Sequence, residues 1–137
     1  MKFHGGCLCG QVRFAIEGEP VFAGFCHCRD CQKSGGGGHN VSAGFAVEAV
    51  AFSGNVHEYD YVGTSGGAVA RAFCPVCGSR LYSRADSAGP ILMIAAGALD
   101  DPNILTPDFH IVTSGKPVWD YVDPTRIASE TYPSEDD

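Results

Sequence analysis

The sequence lacks any run of about eighteen apolar residues, the length that a membrane-spanning helix requires. Its first residues also lack the apolar stretch of a secretory signal peptide, so we expect a cytoplasmic protein. Basic residues are few, with 9 Lys and Arg against 16 Asp and Glu and a net charge of −7. Since non-specific binding to nucleic acid relies on an excess of Lys and Arg, this balance argues against nucleic acid as a partner.

Helical periodicity is also missing, because no 3.6-residue apolar pattern extends over three turns. Glycine, by contrast, occurs 18 times, between short stretches of β-branched and aromatic residues that alternate with polar ones. The segment 33–38 ends in four glycines and is predicted to be a loop, and a one-turn helix is predicted near Asp101. Strands are predicted at residues 11–16, 21–25, 39–45, 47–52, 56–62, 68–73, 80–84, 91–96 and 109–112.

The chain therefore has the pattern of a predominantly β protein without a visible domain boundary. Its 137 residues, 45% of them hydrophobic, suit one domain over residues 1–137 with a real core. The acidic segment from about residue 129 to the C-terminus is expected to be a loose tail.

Seven cysteines carry the chemistry of this sequence, and in a reducing compartment metal ligands or reactive thiols are expected rather than disulfides. Four of them form two knuckles, Cys7-x-Cys9 and Cys74-x-x-Cys77. Two distant knuckles can converge on one ion, and four thiolates close a tetrahedral zinc shell, so the predicted role is structural. Four buried, metal-free cysteines are the alternative.

The other three cysteines, Cys26, Cys28 and Cys31, are all local and are one ligand short of a closed shell. If a histidine supplies the fourth ligand, the site is closed and structural; if none does, one position is open to water or substrate. A metal-free cluster, or pairing of these three with an outer knuckle, also remains possible from the spacing. The histidines considered as a fourth ligand are His27, His39, His57 and His110.

Two residues inside the cluster have simpler interpretations than catalysis. His27 lies between two ligands and is expected to point away from a metal, so a role in holding the turn is favoured over a proton shuttle. Asp30 is expected to cap the turn. Trp119 is interpreted as part of a core or of a pocket wall.

Four motifs in this order resemble those of the glutathione-dependent formaldehyde-activating family, which also includes centromere protein V. They are C-x-C-G-x-V-x-F at 7–14, C-H-C-x-x-C-x-K-S-G at 26–35, F-C-P-x-C-G-S at 73–79 and H…K-P-x-W at 110–119. The resemblance covers roughly residues 4–133. It implies a β-tent fold, an all-β arrangement of several short, coiled antiparallel sheets stapled by zinc, with little helix.

The resemblance also implies two zinc ions per chain and an enzyme. The structural zinc would be held by Cys7, Cys9, Cys74 and Cys77, and the open catalytic zinc by Cys26, Cys28 and Cys31. The implied activity is that of a carbon–sulfur lyase or synthase, which joins formaldehyde to glutathione and gives S-hydroxymethylglutathione. The expected partners are thus a small-molecule thiol and a small aldehyde. A zinc-stabilised binding module without turnover is the alternative function.

A peptide thiol with two carboxylates needs cations and backbone N–H donors near the cluster. Those expected from the sequence are Arg29, Lys33, Gly35, Gly36 and His39. Three arginines beside the other knuckle, Arg71, Arg80 and Arg84, are as readily interpreted as solvated strand residues as ligand contacts.

Overall fold

The computed structural model describes residues 2–64 and 66–132, and these are mainly β, as predicted. One α-helix, α1 (Arg29–Gly35), is the longest helix of the described residues, and none there could cross a membrane. The predicted turn at Asp101 is confirmed, since Asp101 caps a 3-10 helix at Pro102–Ile104. The strands of the described residues are β1 (Lys2–Gly6), β2 (Arg13–Glu17), β3 (Phe22–Cys26), β4 (Asn40–Ala46), β5 (Val50–Ser53), β6 (His57–Val62), β7 (Ala68–Phe73), β8 (Arg80–Ala85), β9 (Ile91–Ala95), β10 (Phe109–Ile111) and β11 (Ile127–Ala128).

The strands form two open sheets. The small sheet has the order β1-β2-β5, and the large one the order β11-β10-β3-β4-β9-β8-β7-β6. Neighbouring strands are antiparallel except that β10 lies parallel to both β3 and β11. This parallel end was not predicted from the sequence, because β3 and β10 are separated along the chain by α1 and the six strands β4 to β9.

The core lies where the small sheet packs on the large one. Phe3 and Ile16 of the small sheet are fully buried, as are Phe45 of β4 and Ile94 of β9. The rings of Phe3 and Phe45 meet edge to face with centroids 5.2 Å apart. Apolar residues at alternate strand positions thus fix which face of each strand turns inward.

The helix α1 is the main departure from the predicted elements. The segment 33–38 is helical as far as Gly35, and only its second half is a loop. Cys28, not Asp30, caps this helix, because the Cys28 sulfur accepts the N–H of Cys31 at 3.2 Å. Gly36 ends it with a left-handed φ of 87°, which favours glycine. A helix of seven residues is too short to show a periodic pattern.

The chain beyond β11 is held in place as far as Thr131. The N–H groups of residues 112–114 donate to the carbonyls of Thr131, Ser129 and Glu130 in turn. The predicted tail from about residue 129 therefore starts as a bonded segment. Its remainder, residues 133–137, lies outside the described residues.

Candidate metal centres and active site

Four cysteines from the two knuckles meet at one point between the small sheet and the β7–β8 connection, and their sulfurs lie within 4.8 Å of one another. Cys9 Sγ lies 3.6 Å from Cys7 Sγ and 3.8 Å from Cys74 Sγ. Zinc with four bonds of about 2.3 Å to sulfur separates tetrahedral ligands by about 3.8 Å. Cys7, Cys9, Cys74 and Cys77 could therefore hold a metal ion in a closed shell.

Each outer knuckle turns tightly around its first sulfur. Gly10 and Gly78 take left-handed conformations, with φ of 82° and 77°, and their N–H groups donate to the carbonyls of Cys7 and Cys74. Hydrogen bonds from the Ser79 side chain and backbone lower the pKa of Cys77 to about 5. These hydrogen bonds thus favour the thiolate of Cys77, which is the form that binds a metal.

The three remaining cysteines meet at the start of α1. Cys26 ends β3, Cys28 caps the helix, and Cys31 lies in its first turn, with all three sulfurs within 4.8 Å. Hydrogen bonds from the thiols of Cys26 and Cys31 lower the pKa of Cys28 to about 2, and the bond to Cys28 raises the pKa of Cys26. One thiolate is stabilised by two neighbouring protons, and a divalent cation could replace those protons.

No fourth protein ligand completes this second cluster within residues 2–64 and 66–132, where no further Cys, His, Asp or Glu joins the three sulfurs. His57 pairs with Phe73 across β6 and β7, and its ring packs against the Phe73 ring. The other three histidines considered from the sequence, His27, His39 and His110, are engaged with one another and with Asp120.

These histidines form a hydrogen-bonded chain behind the cysteine cluster. The N–H of Asp123 donates to His110 Nε2 at 3.4 Å, so the His110 proton lies on Nδ1 and is donated to His27 Nε2 at 2.8 Å. His27 Nδ1–H then donates to Asp120 Oδ2 at 2.8 Å, and His39 Nδ1–H donates to the same oxygen at 2.9 Å. Burial lowers the pKa of both His27 and His110, which favours the neutral form of these two rings.

The distances within this chain fit hydrogen bonds better than a third metal ion. Ligand atoms about 2.0 Å from a tetrahedral zinc lie about 3.3 Å apart, longer than the contacts of 2.8 and 2.9 Å made by Asp120. His27 is fully buried and points away from the sulfurs, as expected from its position between two of them. Its two ring nitrogens bond Asp120 and His110, which ties the turn that carries Cys26 and Cys28 to the C-terminal part of the chain.

Replacing Asp120 with alanine is expected to lower the free energy of unfolding by about 1–3 kcal/mol, the cost of a buried donor that loses its acceptor. The donor left unpaired is His27 Nδ1–H, since His39 is partly exposed and can reach water. Urea unfolding measures the change. The exposed Asp108 provides a control, and Asp108→Ala should change stability by less than about 0.5 kcal/mol. Equal effects of the two substitutions would contradict the anchoring role of Asp120.

A cavity of about 450 Å³ opens beside the second cluster, and its wall includes all three cysteines of that cluster. It lies on the face of the large sheet formed by interior strands. Its apolar wall includes Phe22, Met93, Phe109 and Ile111, and its polar wall includes Tyr61, Arg71, Arg80 and Tyr132. A small molecule in this cavity would therefore touch the cysteine cluster directly.

The residues expected from the sequence to contact a substrate do not line this cavity. Arg29 and Lys33 are exposed on α1, and the guanidinium of Arg29 donates to the Gln32 side chain. Gly35 and Gly36 end the helix, and the Gly36 N–H is already bonded to the Gln32 carbonyl at 2.8 Å. His39 binds Asp120 and is not among the residues that line the cavity.

Residues distant in sequence supply the polar wall instead. Arg71 Nη2 lies 3.8 Å from Cys31 Sγ, and Arg71 Nε donates to the Tyr61 hydroxyl at 2.8 Å. The Tyr132 hydroxyl faces Cys28. Its hydrogen bond lowers the pKa of Cys28 further, although less than the bonds from the Cys26 and Cys31 thiols do. No local motif marks Arg71, Tyr61 or Tyr132, so only the strand pairing of β6, β7 and β8 and the return of the C-terminal segment could have revealed them.

Comparisons with known proteins identify a family and a shared fold. The model of the family described as glutathione-dependent formaldehyde-activating enzyme matches residues 2–115. A crystal structure of a Rhodobacter sphaeroides protein has a TM-score of 0.58 at 20% sequence identity, covering 94% of this chain and 99% of that one. This likeness shows a shared fold, and no curated protein matches the chain significantly. Because the family match spans most of the chain and contains every cysteine, the chain belongs to the glutathione-dependent formaldehyde-activating enzyme family.

Proposed function

We propose that this protein is a zinc-dependent carbon–sulfur lyase or synthase that joins a thiol to formaldehyde or to a related small aldehyde. Family membership suggests glutathione as the thiol. One observation carries the proposal: three cysteines without a fourth protein ligand among the described residues form part of a cavity wall. The closed four-cysteine cluster then has the structural role.

The donor set of the second cluster fits zinc. Cys26, Cys28 and Cys31 offer three soft sulfurs, which favour zinc over the hard cations magnesium and calcium. When bound there, zinc supplies a position at which a substrate thiol is held and its pKa lowered. Arg71 lies against Cys31 Sγ and offsets the negative charge of the sulfurs.

The reaction forms one carbon–sulfur bond. The thiol loses its proton to solvent and its sulfur donates an electron pair to the aldehyde carbon. The carbon–oxygen double bond becomes single and the oxygen takes a proton from a donor, which solvent then reprotonates. Tyr132 lines the cavity beside Cys28 and is placed to give that proton. Burial, followed by the hydrogen bond to the Cys28 sulfur, raises the pKa of Tyr132, so its hydroxyl stays protonated at neutral pH. A fixed donor at the developing oxyanion lowers the barrier.

Tyr132→Phe is expected to slow adduct formation by on the order of a hundredfold, the effect of removing one oxyanion donor. Thiol affinity should change by less than about twofold, because the hydroxyl acts on the aldehyde oxygen. Tyr59→Phe is the matched control, since Tyr59 is 62% exposed and does not line the cavity. Steady-state rates and thiol titrations measure both effects. An unchanged rate in Tyr132→Phe would remove this residue from the mechanism.

The alternative function, a binding module without turnover, calls for a fourth protein ligand in the second cluster. Among the described residues, no further Cys, His, Asp or Glu joins the three sulfurs. Exchange spectroscopy by NMR with isotope-labelled formaldehyde and glutathione distinguishes the two functions. The zinc-loaded protein should accelerate formation of S-hydroxymethylglutathione well beyond an equal concentration of free zinc. A protein that holds two zinc ions and gives no acceleration would favour the binding module.

A further inference from the structure

A row of apolar side chains leads away from the second cluster along the cavity. Phe22, Gly24 and Cys26 occupy alternate positions of β3, so they share one face of the large sheet. On the neighbouring β10, Phe109 pairs with Gly24 and Ile111 pairs with Cys26. Phe22, Phe109 and Ile111 all line the cavity. The cysteine cluster therefore lies at one end of an apolar wall, and two aromatic rings lie at the other end.

Two glycines let these rings lie close to the sheet. A side-chain carbon at Gly24 would lie 2.5 Å from the Phe109 ring, and one at Gly44 would lie 2.5 Å from the Phe22 ring. Each ring thus covers the glycine of the strand beside it, and the ring centroids are 6.1 Å apart. Met93 pairs with Gly44 from the other side and also lines the cavity. The rings therefore form a floor and leave the space above it open.

The size of this cavity does not match formaldehyde. Its volume of about 450 Å³ lies within the range of pockets that bind drug-sized ligands, roughly 300–1,000 Å³. Formaldehyde needs little more space than one or two water molecules, at about 30 Å³ each. The strand from Phe22 to Cys26 spans about 13 Å, at a rise of about 3.3 Å per residue. Formaldehyde bound at the sulfurs would therefore leave most of the apolar wall in contact with water.

Glutathione does not suit this wall either. It is a peptide with two carboxylates, and burial of such groups without hydrogen-bond partners is costly. The side chains of Phe22, Phe109 and Ile111 offer no hydrogen bond. The strands beneath them, β3, β4 and β10, are interior strands whose backbone groups bond to their neighbours. The apolar wall is therefore better matched to the other substrate, the aldehyde.

We propose that the aldehyde substrate carries an unbranched apolar tail, which lies on Phe22, Met93 and Phe109 while the carbonyl carbon lies beside the sulfurs of the second cluster. The proposal rests on the function proposed above and narrows the aldehyde to a substrate class. The carbon–sulfur bond that forms is the same, so the tail determines specificity and takes no part in the chemistry. Burial of each methylene group should favour the longer aldehyde by about fourfold.

Initial rates of adduct formation with hexanal and with propanal test this assignment, with glutathione as the thiol, zinc-loaded protein and the uncatalysed rate subtracted. The two aldehydes differ only by three methylene groups. Wild-type protein should have a kcat/KM on the order of thirtyfold higher for hexanal. Met93→Gln keeps the length of the side chain but makes it polar, and should reduce this preference at least about threefold. Ile104→Gln is the control, since Ile104 is 42% exposed and does not line the cavity, and should keep the preference.

Equal kcat/KM values of wild-type protein for the two aldehydes, or acceleration of formaldehyde alone, would overturn the assignment and leave the proposed function in place. This comparison needs no variant, so it decides the matter even if Met93→Gln does not fold. A full preference in folded Met93→Gln, or its loss in Ile104→Gln, would also overturn the assignment, because the preference would then have another source. If the protein accelerates the addition of none of the three aldehydes, the proposed function itself fails.

Discussion

Replacing Cys74 with serine is expected to leave most of the chain unfolded or aggregated at room temperature. Cys74 is fully buried and belongs to the cluster that ties the loop after β1 to the connection between β7 and β8. Structural zinc contributes about 10–16 kcal/mol of binding free energy to small domains, as much as the whole stability of a typical protein. Loss of one ligand should therefore remove most of the stability.

Circular dichroism and metal analysis together measure this effect. The Cys74→Ser variant should lose its cooperative thermal transition and its bound zinc at once. Ser79→Ala offers a nearby control: the Ser79 hydroxyl supports the Cys77 sulfur at 3.1 Å, but serine is no ligand in the closed shell. A cooperatively folded Cys74→Ser protein with two zinc ions would show that the outer cluster is not a structural metal site.

Replacing Cys28 with serine is expected to give the opposite result. The chain should fold, bind one zinc ion instead of two and lose its activity. The second cluster forms part of a cavity wall and ties together only β3 and α1, which are adjacent in sequence. Changes in residues that merely support metal ligands cost about 10–100-fold in metal affinity or activity, so loss of a ligand should cost more than about a hundredfold.

Metal analysis, thermal unfolding and the rate of adduct formation measure the three parts of this prediction. Ser34→Ala on the same helix should keep both zinc ions and the wild-type rate. A Cys28→Ser protein that unfolds, beside a Cys74→Ser protein that folds, would show that the two clusters have exchanged roles.

The two cysteine clusters could be predicted from the sequence because each is built from groups of cysteines that lie close together along the chain. Cys26, Cys28 and Cys31 lie within six consecutive residues, and the two cysteines of each outer knuckle lie within four. The strand β2 was predicted by alternation, since buried and more exposed residues alternate along it. The strands β7 and β8 were predicted as the two arms of a hairpin around the second knuckle. A helix as short as α1 could not be, because its start is fixed by a cysteine cap rather than by a periodic apolar face.

The polar wall of the cavity could not be predicted because it depends on strand order. Arg71 is forty residues from Cys31 in sequence, yet the arrangement of the large sheet places its guanidinium beside that sulfur. Arg29 and Lys33 are sequence neighbours of the cluster, but the helix directs them to solvent. Asp120 and Tyr132 arrive only through the C-terminal segment that follows β10. Proximity in sequence was therefore a poor guide to the residues around a substrate.

The glycine run after α1 has a structural explanation that its sequence did not reveal. Gly36 adopts the left-handed conformation that ends the helix. A side-chain carbon at Gly38 would lie 2.8 Å from the carboxylate of Asp120 and 2.9 Å from Trp119. Gly38 thus lets the segment that contains Trp119 and Asp120 pack closely against the loop after α1, and anion binding is not required to explain the glycine there.

The account depends most on one claim, that the second cysteine cluster is an open metal site that accepts a substrate thiol. Cobalt substitution followed by glutathione titration tests it most directly, because sulfur-to-cobalt charge-transfer bands count thiolate ligands. We predict two cobalt ions per chain and a saturable increase of the charge-transfer band that is absent in Cys28→Ser. Two bound cobalt ions with a spectrum that does not change at saturating glutathione would contradict the claim.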